Sequence, residues 1–243
     1  SYALAGANFK LRNEGSYLGI LWYLLYPFLM FFVMSFVRGS FYGSQKITSF
    51  AAYLMIGLVV FNFFSGNLAF SASAITRNRG LVKSIKIPRA ALVFSGLLQY
   101  SFSHIFEIII LAILMVVAGM PLLGLFFYPI VFFLLFFFIL GIAYIFAIAG
   151  AYVIDLSNVW GIMTTILLFS TPIAFVAEKT SLLYKLNLFN PIYYFIQLAR
   201  DVVVYQEMPD LSLVLICAGL SFFSILVGSL IFRRYEGRLA EII

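Results

Sequence analysis

Long apolar runs set the first constraint on this chain. From about Leu18 to Phe232 it reads as stretches of roughly 18 to 30 residues with very little charge, separated by short polar breaks. At a rise of 1.5 Å per residue, a helix of that length crosses the roughly 30 Å hydrocarbon core of a bilayer. Of 243 residues, 64% are hydrophobic and 10% charged, which is more apolar surface than a soluble domain of this length can bury. The bilayer is therefore the expected solvent. A barrel is excluded, because its strands would be segments of about ten residues alternating in polarity.

Charge then orients the spans. Ten of the fifteen Lys and Arg residues fall in three clusters: Lys10 and Arg12, then Arg77, Arg79, Lys83, Lys86 and Arg89, then Arg233, Arg234 and Arg238. With the N-terminus inside, six spans place all ten in the cytoplasm. Arg38, Lys46, Lys179, Lys185 and Arg200 fall outside, and the last three share residues 177–210 with four acids. This bias predicts that both termini are cytoplasmic. The net charge of +6 is read as cytoplasmic loops meeting anionic headgroups, not as a nucleic-acid footprint.

The expected fold class is an all-α membrane protein, with six transmembrane helices, an N-terminal amphipathic surface helix and re-entrant helices between spans 5 and 6. Residues 1–16 form the surface helix. The spans cover about 18–37, 50–74, 91–118, 122–154, 159–176 and 211–232. Gly119-Met120-Pro121 makes a tight turn, and Ser157 or Asn158 caps the fifth span. Residues 177–210 are strongly apolar yet interrupted at Asn190-Pro191, so two short helices that dip in and return fit them best. The whole of 1–243 reads as one membrane domain without internal repeats. A start at Ser1 instead of Met predicts a further N-terminal piece, and no signal peptide is seen.

Few motifs carry chemistry. There is no G-x-x-x-x-G-K-[ST], so no ATP is expected on this chain through a P-loop, and no H-E-x-x-H or G-x-S-x-G occurs. The lone Cys217 excludes an intrachain disulfide and a cysteine-based metal site, and no catalytic residue or metal is expected. His104 and Glu107 lie one helical turn apart within the third span and can pair with each other, or with Gln99 or Tyr100. They form either an interhelical anchor or a direct part of transport or protonation. Residues 75–90 hold five basic residues and no acid, and serve either as an orientation signal or as a docking element for a soluble partner. Small-residue stripes at Ala143, Ala147 and Ala151, and at Ser65, Ala69 and Ser73, permit close helix approach. In the first span, Trp22 and Tyr23 suit an interfacial girdle. Deeper rings such as Tyr26 and Phe31 either pack against lipid or offer a surface on which sugar rings stack.

The order of short segments resembles a known family. LRNEGSYLGILWYLLYPFLM, with Ser16, Tyr17, Leu18, Gly19, Leu21, Trp22 and Pro27, resembles the start of ABC-2 type permeases. IKIPRA (Ile85 to Ala90) resembles the end of their first cytoplasmic loop. NPIYYFIQLARDVV resembles their late Asn-Pro and Arg-Asp, here Asn190, Pro191, Arg200 and Asp201. FRRYEGRLAEII resembles their basic tail. The spacing is most similar to the polysaccharide-export branch, for O-antigen, capsule or wall teichoic acid, although Ile154-Asp155 stands where that branch often has Arg-Asp.

The resemblance implies a homodimer in the cytoplasmic (inner) membrane, with ATP and Mg held by a separate ABC ATPase subunit. It makes residues 75–90 the coupling loop, with Arg77, Arg79, Leu81, Lys83 and Lys86 facing the ATPase. Residues 178–203 become outer re-entrant helices, with Asn190, Pro191, Arg200 and Asp201 at an outer gate. A lipid-linked glycan would be guided by Lys10 and Arg12 and slide past Trp22, Tyr23, Tyr26 and Phe31. The rival readings are an ABC-2 exporter of a small drug or lipid, and an intramembrane enzyme or proton-coupled carrier built on His104 and Glu107.

Overall fold

The computed structural model describes residues 29–33, 36, 50–80, 88–153 and 155–237. Among the described residues every regular element is helical. They are α1 (Phe50–Arg77), α2 (Arg89–Val117), α3 (Leu123–Tyr152), α4 (Leu156–Ser170), α5 (Leu182–Asn187), α6 (Pro191–Arg200), a π-helical turn at Asp201–Tyr205, and α7 (Leu211–Tyr235). Four of them, α1, α2, α3 and α7, are long and apolar enough to cross a membrane. Residues 29–33 and 36 of the expected first span are also helical.

The helix α1 forms the centre. Its apolar residues cover the whole circumference instead of one face, the pattern of a helix enclosed by protein, and it packs against α2, α3, α4 and α6. The helix α7 is peripheral. It lies mainly on α3 and leaves Leu215, Phe222, Phe223, Leu226 and Leu230 exposed, as a lipid-facing surface requires. Chain direction gives the bundle two ends: one holds the C-terminus of α1, the start of α2 and the end of α7, and the other holds the α2–α3 turn.

That turn is built as expected. Gly119 takes φ 69°, a left-handed conformation that glycine adopts without steric cost. Its N–H donates to Val116 O at 3.0 Å and the Met120 N–H to Met115 O at 2.8 Å, the two bonds of a Schellman motif. At the same end Gln206, left-handed at φ 55°, donates from Nε2 to Pro121 O at 2.6 Å and ties the π-helical turn to the α2–α3 connection.

Backbone approach governs the α3 seams. A side chain at Gly141 would run into the Ser224 backbone, one at Gly228 into Gly141, and one at Gly150 into the Ala72 carbonyl of α1. Ser221 and Ser224 donate their hydroxyls to Leu134 O and Phe138 O, both at 2.7 Å, so α7 is hydrogen-bonded as well as packed onto α3. Ala143, Ala147 and Ala151 are buried. The expected Ser65, Ala69, Ser73 stripe is not a seam: Ala69 is exposed, and the close contact of α1 with α3 runs through Ala72 instead.

Three boundaries depart from expectation. The fifth span does not run to Val176, because α4 ends at Ser170 and its 15 residues reach only about 22 Å. Thr171 takes ψ 135°, as a residue before proline prefers, and Pro172 has no N–H to continue the ladder. The 75–90 loop is shorter than expected: Ile75 is buried inside α1, which continues to Arg77, while α2 opens at Arg89 just after Pro88. Residues 177–210 do hold two short helices, α5 and α6, with Pro191 at the first turn of α6.

The helix α7 starts on an Asp210 cap, whose carboxylate accepts from the Ser212 N–H at 3.3 Å and from the Ser212 hydroxyl at 2.6 Å. The Ser212 hydroxyl, and then its N–H, hold this carboxyl below the usual carboxylate range. A depressed carboxyl stabilises above its unfolded pKa of about 3.9, and that stabilisation disappears as pH falls through the folded value. Asp210→Ala should therefore lower the melting temperature at pH 7 and reduce the further loss seen for the native protein on acidification below about pH 4.

Candidate functional site

Beyond α4 the chain runs without helix through Thr171–Phe175 while still largely inside the bundle, with Thr171 and Ile173 fully buried. Non-helical backbone among apolar spans must find partners for its polar groups. Side chains supply them here. Asn187 donates from Nδ2 to Ser170 O at 2.8 Å, and Asn190 braces the same corner through the Thr171 side chain, donating from Nδ2 to Oγ1 at 2.9 Å. Arg200 donates from Nη2 to Ile173 O at 3.0 Å, and the Tyr53 hydroxyl to Phe175 O at 3.2 Å.

Arg200 is the anchor of this clamp and is fully buried. Its guanidinium lies 3.5 Å from the centre of the Tyr53 ring, and Nη1 donates to Gln197 Oε1 at 3.3 Å. Gly57 makes room for it, since a Cβ there would stand 3.1 Å from Nη2. A buried cation is normally paired with an anion. Here, among the described residues, its partners are a ring face and neutral oxygens. Asp201, its neighbour in sequence, is half-buried and forms no ion pair with it. Asn190 and Arg200, at the two ends of α6, thus both bond to the Thr171–Phe175 segment, with Tyr53, Gly57 and Asn187 added by the fold, and Pro191 sits at the first turn of α6. Tyr53 and Gly57 lie well over a hundred residues from Arg200 in sequence, and no local pattern links them.

The break borders a cavity of about 340 Å³ lined by Trp160, Phe64, Phe146, Asn187, Phe189 and Asn190 among others. Trp160 stands edge-on to Phe146 and Phe64, with centroids at 4.9 and 5.7 Å, and donates from Nε1 to Ser65 O at 3.0 Å. Trp160 is one of only two tryptophans, yet no local motif around it marks this position in the sequence. Phe31 is half-buried and packs edge-on to Phe32 at 5.7 Å. Trp22, Tyr23, Tyr26, Lys10 and Arg12 lie outside the described residues.

At the opposite end Arg77 and Arg79 are exposed beside the end of α1, and Arg233 and Arg234 are exposed in the last turn of α7. Arg89 Nη1 donates to the Glu236 carbonyl, which joins the start of α2 to the end of α7. These arginines make one basic end, with Leu81, Lys83 and Lys86 outside the described residues.

His104 and Glu107 are buried midway along α2. They do not hydrogen-bond: Nδ1 and Oε2 stand 3.6 Å apart. His104 bonds across to α3 instead, with Nε2 2.8 Å from the Tyr128 hydroxyl, and is packed by Phe63 and Phe132. The expected partners Gln99 and Tyr100 are replaced by Tyr128, the only hydroxyl-bearing ring in the Phe-rich first half of α3. Tyr128→Phe should cost about 1–3 kcal/mol by leaving a buried imidazole nitrogen unpaired, measurable as a lowered unfolding midpoint.

Four helices long and apolar enough to cross a membrane, closed by an arginine-bearing end, define the class of multi-pass membrane proteins. The chain belongs to the ABC-2 type transporter family, whose profile matches residues 2–204. The O-antigen export system permease protein RfbA of Myxococcus xanthus is 24% identical to it over 246 residues, which span 98% of this chain and 93% of that protein. Family members are membrane subunits whose ATPase resides on a separate ABC subunit.

Proposed function

We propose that this chain is the membrane subunit of an ATP-driven exporter that moves a lipid-linked polysaccharide across the cytoplasmic membrane. The observation that carries the reading is its family membership together with an end-to-end likeness to an O-antigen export permease. In this reading two copies form the channel, each with six spans and with both termini in the cytoplasm. An ABC ATPase holding ATP and Mg docks under the basic end, against the 75–90 segment. Motion of that segment opens a path along the spans, and residues 178–203, as re-entrant helices, shape the outer mouth. The Asn190–Arg200 clamp keeps that region ordered while the rest moves. Lys10 and Arg12 meet the pyrophosphate head, and Trp22, Tyr23, Tyr26 and Phe31 line the sugar path.

Surface arginines placed opposite a partner steer and register its docking through charge. Arg79→Glu combined with Lys83→Glu should abolish ATPase activity coupled to transport while the folded membrane subunit accumulates normally. Reconstitution with the partner ATPase, in liposomes containing a lipid-linked glycan, reads this directly. Stimulation of hydrolysis by the glycan supports the polymer reading. Stimulation only by small hydrophobic compounds replaces it with the drug-exporter reading, and unchanged coupling in the double variant removes the docking role.

A further inference from the structure

Between α1 and α2 lie buried polar atoms that the protein itself leaves unbonded. Asn62 Nδ2, His104 Nδ1 and Glu107 Oε2 are shielded from solvent and have no hydrogen-bond partner. They share one spot: Nδ1 and Oε2 are 3.6 Å apart, and Asn62 stands beside the carboxyl without bonding to that oxygen. Such a gap is longer than a direct bond, and a single small molecule seated beside the pair reaches both atoms.

Proton positions decide what the bridge must be. In the tautomer with the proton on Nε2, donated to Tyr128, Nδ1 presents a lone pair towards the carboxyl across a gap that no direct bond spans. Nδ1 then needs a donor and the Asn62 N–H an acceptor, while Glu107 Oε2 can take a bond as carboxylate or give one as acid. Water is the smallest molecule that offers both.

We propose that Asn62, His104 and Glu107 form a buried site for a single water molecule, which donates to His104 Nδ1, accepts from Asn62 Nδ2 and shares a hydrogen bond with Glu107 Oε2. Three bonds are the usual complement of an internal water. The His104 ring is packed by Phe63 and Phe132, with centroids at 4.7 and 5.2 Å, which keeps it out of contact with lipid. Through this molecule and the Tyr128 bond, α1, α2 and α3 are joined at one polar node. The proposal stands whatever the cargo is.

His104 is the single histidine of the sequence, so its two ring nitrogens give isolated signals in protein labelled with ¹⁵N-histidine. Solid-state NMR of the full chain in lipid bilayers should show a neutral ring protonated at Nε2, with an Nδ1 that accepts a hydrogen bond and cross-relaxes with water. Glu107→Leu and Asn62→Leu should lose that water contact, and Glu107→Gln should keep it. A proton on Nδ1, a doubly protonated ring, or an Nδ1 bonded directly to the Glu107 acid without water contact overturns the proposal. The deciding spectrum is that of the unaltered protein, so a variant that fails to fold leaves the test intact.

Discussion

Arg200→Lys should destabilise the protein by about 3 kcal/mol or more, and by more than Arg200→Met does. The guanidinium stacks on Tyr53 and bonds to Ile173 and Gln197 from different nitrogens, which a compact ammonium cannot reproduce. Lysine keeps the cost of burying a cation, about several kcal/mol, and forfeits the plane that offsets it. Methionine removes the charge and leaves the Ile173 carbonyl unpaired, a loss of about 1–3 kcal/mol. Cys217, free and buried, supplies the readout, because a thiol-reactive dye labels it only as the bundle opens. If lysine matched the native melting point, the charge alone would be holding the break and the stacked geometry would be incidental. Tyr53→Phe, which keeps the ring but drops the bond to Phe175 O, should fall between native and Arg200→Met.

The second large effect is at a helix seam. Gly150→Leu places a branched side chain against the Ala72 backbone carbonyl, which cannot yield as a flexible side chain would. Overpacking typically costs about 1–3 kcal/mol, and a backbone collision falls at or beyond the upper end of that range. Little folded protein should survive extraction from the membrane. Gly161→Ala is the control: nothing lies within 4 Å of a Cβ there, so the change should be neutral or gain up to about 1 kcal/mol from helix propensity. Equal folded yields for Gly150→Leu and Gly161→Ala would show that α1 and α3 are not pressed together as described.

Much of this architecture follows from local pattern. The apolar runs predict α1, α2, α3 and α7 to within three residues at each end, because length and apolarity are properties of a contiguous window. Gly119 marks its turn because only one residue type enters that conformation freely. The end of α4 was equally legible in Thr171-Pro172, and a hydropathy reading passes over it because a proline is neither charged nor strongly polar. The clamp was not legible. Asn190 and Pro191 announce a helix start, but that Asn190 bonds to Thr171 instead of capping α6 depends on a segment nineteen residues earlier. Arg200 next to Asp201 suggests a local pair, and only the placement of Tyr53 and Gly57 on a neighbouring span draws the guanidinium inward. His104 and Glu107 share a face, as their spacing predicts, yet Tyr128 wins the imidazole because it comes within 2.8 Å while the carboxyl remains at 3.6 Å.

The short connection between α2 and α3 limits how the subunit can move. Only residues 118–122 join the two helices, and five residues reach no further than about 18 Å at full extension. Whatever stroke the molecule makes, those two helix tips stay tethered within that reach, so the rods can lean or pivot about the connection but cannot move far apart there. Any wide separation between them therefore falls at their far ends, Arg89 of α2 and Tyr152 of α3, giving this pair the mechanics of tweezers joined at one tip.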